Sequence, residues 1–118
     1  MSDSTFSAGN IFISHRAIAT IAYQSSLESY GVVGLAAKNF AQGIAQAIVK
    51  DPLMGVEVRQ DENTISIDLY IIVEYGTRIK SVASSVAESV RYHIEKSTGL
   101  QVKDVNVHVR GLRISDLD

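Results

Sequence analysis

The amino-acid sequence predicts an α+β fold in one domain, with the element order β-α-β-α-β-β-α-β. Residues 64–75 are apolar at nearly every second position, as in a strand, and residues 78–97 are apolar at every third or fourth, as in a helix. The length of 118 residues fits a single domain. Because an apolar strand face and an apolar helix stripe bury each other, we expect a mixed sheet with helices mainly on one face.

The amino-terminal part of the chain is predicted to contain a tail, a strand and a helix. Residues 1–9 are rich in serine, so we expect a flexible N-terminal tail before a single domain that spans residues 10–118. Residues 10–14 form a short predicted strand, and Ser14 is suited to cap a helix that runs to about residue 29. Gly31 then ends this helix, since glycine readily adopts the left-handed conformation that follows helices.

The next segment predicts a short strand and a second helix. Residues 31–36 are apolar and indicate a buried strand. Asn39 can cap a helix whose apolar residues recur at helical spacing. These apolar residues are Phe40, Ile44, Ala47 and Ile48. We expect Asp51 and Pro52 to end the helix, because the residue before proline is disfavoured in the helical conformation.

An antiparallel hairpin is the clearest local pattern. Residues 56–59 alternate, residues 61–64 have turn composition, and residues 64–75 alternate again. The second strand has an apolar face, which is predicted to point into the core. This face comprises Ile65, Ile67, Leu69, Ile71 and Val73. Ser66, Asp68 and Glu74 lie on the opposite face.

The carboxy-terminal part predicts the longest helix and a final strand. The helix covers about residues 78–97 and ends at Gly99. Its inward stripe comprises Ile79, Val82, Ala83, Val86, Val90 and Ile94. The strand covers residues 102–110 and points three valines inward. Its outward residues are Asn106, His108 and Arg110.

Composition excludes several classes of function. The chain has no cysteine, which excludes disulfides, iron–sulfur clusters, thiolate zinc sites and cysteine nucleophiles. A formal net charge of -2 gives no overall attraction to nucleic acid or anionic lipid. The chain shows no secretory signal and no apolar stretch near the roughly 20 residues that span a bilayer. The expected location is therefore cytoplasmic.

No catalytic or metal-binding motif stands out. The three histidines lack the spacing of a ligand set, and no serine lies in a nucleophile motif. Asp68 and Glu74 lie six residues apart on one strand, roughly 20 Å, which is too far for a catalytic pair. We therefore expect a protein that is not an enzyme and that uses no cofactor and no metal.

Two groups of polar residues are candidate sites. His15 and Arg16 begin one predicted helix, and Arg78 and Lys80 begin another, where cations are normally disfavoured. If both helix starts share one sheet edge, these four residues form a site for phosphate or carboxylate. The alternative is that the basic side chains simply extend into water.

The second candidate is the outward row of the last strand, Asn106, His108 and Arg110. If this strand is an edge, its backbone can pair with another chain. The alternative is a solvated sheet face. A third pattern, Gly31-Val-Val-Gly34, matches the loop with which KH domains grip nucleic acid, but both middle residues are valine, which favours a buried segment.

Six blocks of the sequence together match a known pattern. They are residues 9–14, 30–34, 67–79, 82–86, 97–100 and 105–109, and they extend from about residue 9 to residue 114. These blocks resemble the alkaline shock protein family of envelope stress-response proteins. The block Tyr-Gly-Val-Val-Gly and the short length are most similar to the YloU-type branch.

The resemblance implies a small cytoplasmic protein of Gram-positive bacteria that has no catalytic activity and acts in cell-envelope homeostasis. It implies self-association into a homo-oligomer and membrane association through a separate anchoring protein. A second implied partner is a dihydroxyacetone-kinase-like fatty acid kinase, for which the chain would be a regulatory companion. A KH-like nucleic-acid-binding module is the third hypothesis. Arg16 departs from the family, in which an acidic or polar residue is common there.

Overall fold

The computed structural model describes residues 5–8, 11–37 and 48–114. These residues contain seven strands and three helices. The strands are β1 (Thr5–Ala8), β2 (Ile11–Ser14), β3 (Val32–Ala36), β4 (Ile48–Val49), β5 (Val56–Asp61), β6 (Thr64–Glu74) and β7 (Gln101–Arg113). The helices are α1 (His15–Leu27), α2 (Pro52–Gly55) and α3 (Ile79–Thr98). The predicted α+β class and mixed sheet are confirmed.

Strand β6 is the centre of the main sheet. One side of β6 pairs antiparallel with β5 along its first half and with β3 near its end, and the other side pairs with β7 in parallel. The β5–β6 hairpin has a two-residue turn in which Glu62 has a φ of 57°. Within the described residues β7 pairs only with β6, so it is an edge strand.

The core lies between β6 and the two long helices. The alternating aliphatic residues of β6 are at most 1% exposed, as the sequence pattern predicts. From α3, Val82, Val86, Val90 and Ile94 pack against them, and Ile18 and Ala22 of α1 complete the cluster. The helices therefore cover one face of the sheet and leave its polar residues on the other.

Helix α1 ends where α3 begins. The backbone N–H of Glu74 donates to the carbonyl of Gly31, 2.8 Å away. Gly31 has a φ of 89°, and a Cβ built on it would lie 2.6 Å from Cγ2 of Val82. Because α1 has 13 residues, about 20 Å of helix, its first residues lie far from this junction.

The amino-terminal segment corrects one expectation. Residues 5–8 fall in the predicted flexible tail, but they form β1, which pairs antiparallel with β2. The backbone amides and carbonyls of this segment are thus used in a hairpin. The prediction overlooked it because the segment has few branched apolar side chains, whereas pairing depends on the backbone.

The middle of the chain differs from the predicted second helix. The predicted helix from Asn39 falls on residues 38–47, outside the described residues, and Ile48 belongs to a strand rather than to its last turn. Asp51 and Pro52 begin the short helix α2 instead of ending one. The Asp51 carboxylate accepts from the N–H of Leu53 at 3.0 Å, and proline is well tolerated in a first turn because no intrahelical N–H is needed there.

Candidate functional site

A buried carboxylate on β6 organises the sheet face opposite the helices. The side chain of Asp68 is only 11% exposed. Nη2 of Arg59, on β5, donates to its Oδ2 at 2.6 Å. Nε2 of His108, on β7, lies 3.1 Å from its Oδ1 and donates the hydrogen bond, since a carboxylate only accepts. Three strands are therefore tied together through one side chain.

An aromatic stack continues this arrangement along β6 and β7. The rings of Tyr70 and His108 are stacked, with centroids 4.7 Å apart and planes 12° from parallel. The guanidinium carbon of Arg110 lies 4.9 Å from the centroid of the Tyr70 ring. A cation over a tyrosine face is attracted by the electron-rich ring. Tyr70 thus contacts both a histidine and an arginine of β7.

The charges of this face stabilise one another. Burial raises the pKa of Asp68, but hydrogen bonds from His108, Arg59 and Asn106 lower it by more, so its pKa lies below the ordinary 3.8. Burial, followed by the nearby carboxylates of Asp68 and Glu57, raises the pKa of Tyr70 above its ordinary 10.0. At neutral pH the face therefore presents an ionised carboxylate and a protonated phenol.

We call this set of side chains the polar row. It comprises Arg59, Asp68, Tyr70, Asn106, His108 and Arg110. The sequence-predicted residues Asn106, His108 and Arg110 are thus brought together, and all three interact with side chains of β6. Sequence reasoning missed Arg59 and Tyr70 as members. The hairpin pattern could have placed Arg59 near Asp68, since Arg59 pairs with Ser66, two residues away on the same face.

The outer edge of β7 is the second feature of this region. At its beginning, the N–H of Val102 donates to Oε2 of Glu95 at 2.9 Å, and the guanidinium of Arg91 donates to the Val102 carbonyl. Both side chains come from α3, so the helix covers the start of the edge. Farther along, β7 has no second partner strand among residues 5–8, 11–37 and 48–114. The edge position that this candidate site requires is therefore seen in the described part of the chain.

The four-residue anion site is not assembled. His15 and Arg16 begin α1, whereas Arg78 and Lys80 flank the start of α3, which lies beside the other end of α1. The two helix starts are separated by the length of α1 and do not share a sheet edge. This corrects the prediction, which required both preceding strands to lie parallel in one sheet. In the structure β2 pairs with β1 in a separate hairpin.

The Gly31-Val-Val-Gly34 segment is largely a strand. Val32 pairs with Val73 and Gly34 pairs with Ile72, so its backbone belongs to the main sheet. A KH-type loop needs free backbone groups that reach a nucleic-acid strand. The segment therefore lacks the exposed loop that the nucleic-acid hypothesis requires.

Two clefts lie at the junction of α1 and α3, away from the polar row. One has a volume of about 280 Å³ and the other of about 220 Å³. Tyr30, which is 84% exposed, lines both of them. Thr77 is also shared, and Arg78 and Glu74 each line one. No residue of the polar row lines either cleft.

Comparison with protein families gives one match across almost the whole chain. The model of the alkaline shock protein 23 family, described as having a cell envelope-related function, matches residues 3–114. The uncharacterized protein YloU of Bacillus subtilis is 41% identical over 110 residues, which cover 92% of each chain. An uncharacterized protein of Streptococcus pyogenes is 32% identical over 108 residues, covering 90% of this chain and 89% of that one.

Among solved structures, the chain is similar to a zinc form of the MamM CTD. The TM-score is 0.51 at 14% sequence identity, with 86% of this chain and 89% of the other covered. This likeness concerns the fold alone. No helix in the described part of the chain has both the length and the apolar character needed to cross a membrane.

Proposed function

We propose that this chain, which belongs to the alkaline shock protein 23 family, is a non-catalytic protein-interaction protein that acts in cell-envelope homeostasis. The family supplies the envelope-related role. The observation that supports an interaction role is the polar row, in which a buried carboxylate fixes half-exposed cationic and aromatic side chains on one sheet face. Arg59 and His108 keep 52% and 43% of their side-chain surface exposed while both bind Asp68.

Rigid arginine and tyrosine side chains suit a protein interface. These two residue types are enriched among the residues that dominate binding energy. Arg59 is held by Asp68, and Arg110 and Tyr70 hold each other. Because these side chains are already ordered, binding loses less conformational entropy than it would for mobile ones.

The same geometry argues for a non-catalytic role. An acid–base catalyst needs a free carboxylate or imidazole beside a pocket for the substrate. Both oxygens of Asp68 accept hydrogen bonds from neighbouring side chains, and the clefts at the α1–α3 junction contain no residue of the polar row. The row is arranged to hold its shape rather than to transfer a proton.

The exposed charges of the row define the partner. Its one carboxylate is buried, whereas the guanidinium of Arg59 reaches solvent and that of Arg110 lies on the same face. A partner with an acidic surface patch complements this arrangement. We propose that this partner is a protein anchored in the membrane, which would hold the chain at the cytoplasmic side of the envelope.

The test is affinity capture of the complex from the native host, with the tagged full chain in place of the chromosomal copy. The test variant is the double substitution Arg59→Ala/Arg110→Ala, which removes two cations of the row and keeps Asp68 bonded to His108. We expect the partner recovered with the wild-type chain to fall at least about tenfold with the variant, since interface arginines often contribute more than 1.4 kcal/mol.

A matched control replaces an exposed aromatic residue on another surface. Tyr92→Ala on α3 removes a side chain whose residue is 56% exposed and which belongs to the helix layer. Capture equal to wild type is expected for this variant. Equal recovery with the Arg59→Ala/Arg110→Ala chain would contradict the role of the row, and a kinase as the sole recovered protein would contradict the anchored partner.

A further inference from the structure

The exposed large apolar side chains are concentrated at one end of the molecule. Within the described residues, eight large apolar or aromatic residues are at least 40% exposed, and two of them, Met54 and Tyr92, lie on α2 and in the middle of α3. The other six lie at the end of α1, at the turn from β6 into α3, and at the end of β7. We call these six residues the apolar end, and they are Leu27, Tyr30, Tyr75, Ile79, Leu112 and Ile114.

Two backbone hydrogen bonds bring the three parts of the apolar end together. The N–H of Glu74 donates to the carbonyl of Gly31, which directly follows Tyr30. The N–H of the next residue, Tyr75, donates to the carbonyl of Arg113 at 2.8 Å. The end of α1 and the end of β7 therefore flank the same turn, from which α3 begins. The six residues belong to one region of the surface.

The composition of this region suits the interface between a bilayer and water. Exposed apolar residues that are scattered singly are normal, but a concentration of them marks an interaction surface. Tyr30 and Tyr75 are 84% and 63% exposed. Tyrosine is favoured at the level of lipid headgroups, because its ring is apolar and its hydroxyl is polar. The six residues come from the ends of three elements, and a lipid layer can accept them without a matching shape.

Two cations accompany the apolar residues. Arg78 and Lys80 stand on either side of Ile79 in the sequence, and both are exposed. Neither forms an ion pair with another of the described residues. Every phospholipid carries a phosphate group, and basic residues near a membrane surface are attracted to anionic headgroups. Their long side chains can reach these phosphates while the apolar residues beside them enter the headgroup layer.

From this arrangement we infer that the apolar end binds the surface of a phospholipid bilayer directly, with Arg78 and Lys80 beside the lipid phosphates. The inference goes beyond the proposed function, in which a separate anchored protein holds the chain at the membrane. Contact at the end of β6 and β7 leaves the sheet face that carries the polar row open to that protein. Because both contacts would form on one membrane, each strengthens the other.

The charges of the apolar end are close to balance. Glu28 is exposed and Glu74 is partly exposed at this end. The sequence continues beyond residue 114 with Asp116 and Asp118. A local excess of positive charge therefore does not drive the binding. Insertion of apolar and aromatic side chains supplies the larger part, and the contacts of the two cations with phosphates add to it.

Vesicle flotation tests the binding. The probe is a vesicle of equal parts phosphatidylglycerol and phosphatidylcholine, mixed with the full chain. We expect the wild-type chain to float with the vesicles. The partition coefficient of Tyr30→Ser/Tyr75→Ser should be at least about tenfold lower, because two rings no longer enter the interface. The matched control is Tyr92→Ser, which removes a tyrosine that is 56% exposed on α3 and should float like wild type.

Tryptophan fluorescence tests insertion by an independent route. The natural chain has no tryptophan, so a single Tyr75→Trp substitution reports its own surroundings. On addition of the same vesicles, we expect its emission to shift to shorter wavelength and to be quenched by brominated lipid, since the ring leaves water. Tyr92→Trp should show neither change.

Neutralising the cations tests the phosphate contacts. Arg78→Gln/Lys80→Gln removes two positive charges at the apolar end, and Lys50→Gln/Lys96→Gln removes two exposed ones elsewhere. Both variants have the same net charge. We expect the first to lower the partition coefficient by about threefold to tenfold and the second to leave it unchanged.

Three results would overturn the inference. They are a wild-type chain that does not float, equal flotation of Tyr30→Ser/Tyr75→Ser and Tyr92→Ser, and equal emission shifts of the two tryptophan variants. Loss of a captured protein by Tyr30→Ser/Tyr75→Ser with unchanged flotation would assign the apolar end to a protein partner and overturn it as well.

The proposed function is tested separately from bilayer binding. Arg59→Ala/Arg110→Ala should float like wild type, because it leaves the apolar end intact. In detergent extract, where no bilayer contributes, Tyr30→Ser/Tyr75→Ser should capture the partner of the polar row as wild type does. Failure of one experiment therefore leaves the result of the other standing.

Discussion

The two faces of β6 are built by different forces, although their residues alternate in one strand. On the helix side, five aliphatic residues are at most 1% exposed because α1 and α3 pack over them. On the other side, Ser66 and Asp68 are buried to a similar degree, with 7% and 8% exposure, and Asp68 owes its place to polar partners on β5 and β7. One face is therefore held by apolar contact between layers and the other by hydrogen bonds between strands.

The largest expected loss of stability comes from shortening a side chain on the helix side of β6. Leu69 is fully buried in the middle of β6. Replacing it with alanine removes apolar contacts and leaves a cavity that the surrounding helices cannot fully close. We expect Leu69→Ala to lower the free energy of unfolding by about 3–5 kcal/mol. Urea unfolding followed by circular dichroism measures this loss.

The matched control is an aliphatic residue outside the core. Ile114 is 76% exposed, so Ile114→Ala should change the unfolding free energy by less than about 0.5 kcal/mol. Equal losses of unfolding free energy for Leu69→Ala and Ile114→Ala would show that burial beneath the helices does not stabilise this face of β6.

A glycine pair measures how tightly the helix side is packed. Gly31 and Gly99 have similar positive φ values of 89° and 77°. A Cβ on Gly31 meets Val82 at 2.6 Å, whereas one on Gly99 meets nothing within 4 Å. We expect Gly99→Ala to lose about 1–2 kcal/mol from the left-handed conformation alone, and Gly31→Ala about 2–4 kcal/mol in total.

Thermal or urea unfolding of both glycine variants gives the difference directly. Backbone strain is common to the two positions, so the difference reports the contact with Val82. Losses that agree within error would show that α3 shifts freely at its first turn, contrary to a closely packed helix layer.

The helix side could be predicted from the sequence, and the reason is periodicity. Alternation in β6 and the three-to-four spacing in α3 are local patterns, and both specify most of the buried residues without knowledge of topology. An exception is Ile79, which the spacing places on the inward stripe of α3 but which is 41% exposed at the start of the helix. The polar face of β6 could not be predicted in the same way, because its contacts depend on information that no local pattern holds. His108 lies 40 residues from Asp68, and their contact depends on a parallel register between β6 and β7 across α3.

The errors of prediction have the same cause. The anion site requires His15 and Arg78 at one sheet edge, which holds only if their helices follow parallel strands of one sheet, but β2 pairs with β1 outside the main sheet. The hairpin β1–β2 and the helical turn at Pro52 depend on backbone hydrogen bonds, which composition describes poorly. The sequence therefore leaves open how the elements are arranged, and also the existence of short elements that depend on backbone hydrogen bonds.

The next largest loss of stability is expected for Asp68, the carboxylate on the polar face of β6. Asp68→Asn keeps the shape of the side chain and removes its charge, which weakens the bonds from Arg59 and His108. We expect a loss of about 1–2 kcal/mol at pH 7, low in the range for hydrogen bonds to charged groups, because both donors are partly exposed and solvent screens them. Urea unfolding at pH 7 measures the loss.

The dependence of this loss on pH has a definite sign. The pKa of Asp68 is lowered in the folded chain from 3.8, so the ionised form is favoured by folding. Its contribution is complete above the unfolded pKa and disappears as pH falls through the lower folded value. The gap between wild type and Asp68→Asn should therefore narrow below pH 3.8. A gap that stays constant down to pH 2 would mean that the charge does not stabilise the polar side.

The smallest loss of stability is expected for Arg110, the member of the polar row that lies over Tyr70. Arg110→Ala removes the cation over Tyr70 but leaves Asp68 with its partners. An exposed cation–π contact contributes only about 0.5–1 kcal/mol, so urea unfolding should show a loss of this size or smaller. A loss above about 2 kcal/mol would make Arg110 a structural part of the polar side. With a small loss, a change in partner capture caused by Arg110 substitutions reports the surface itself, because the fold beneath it is intact.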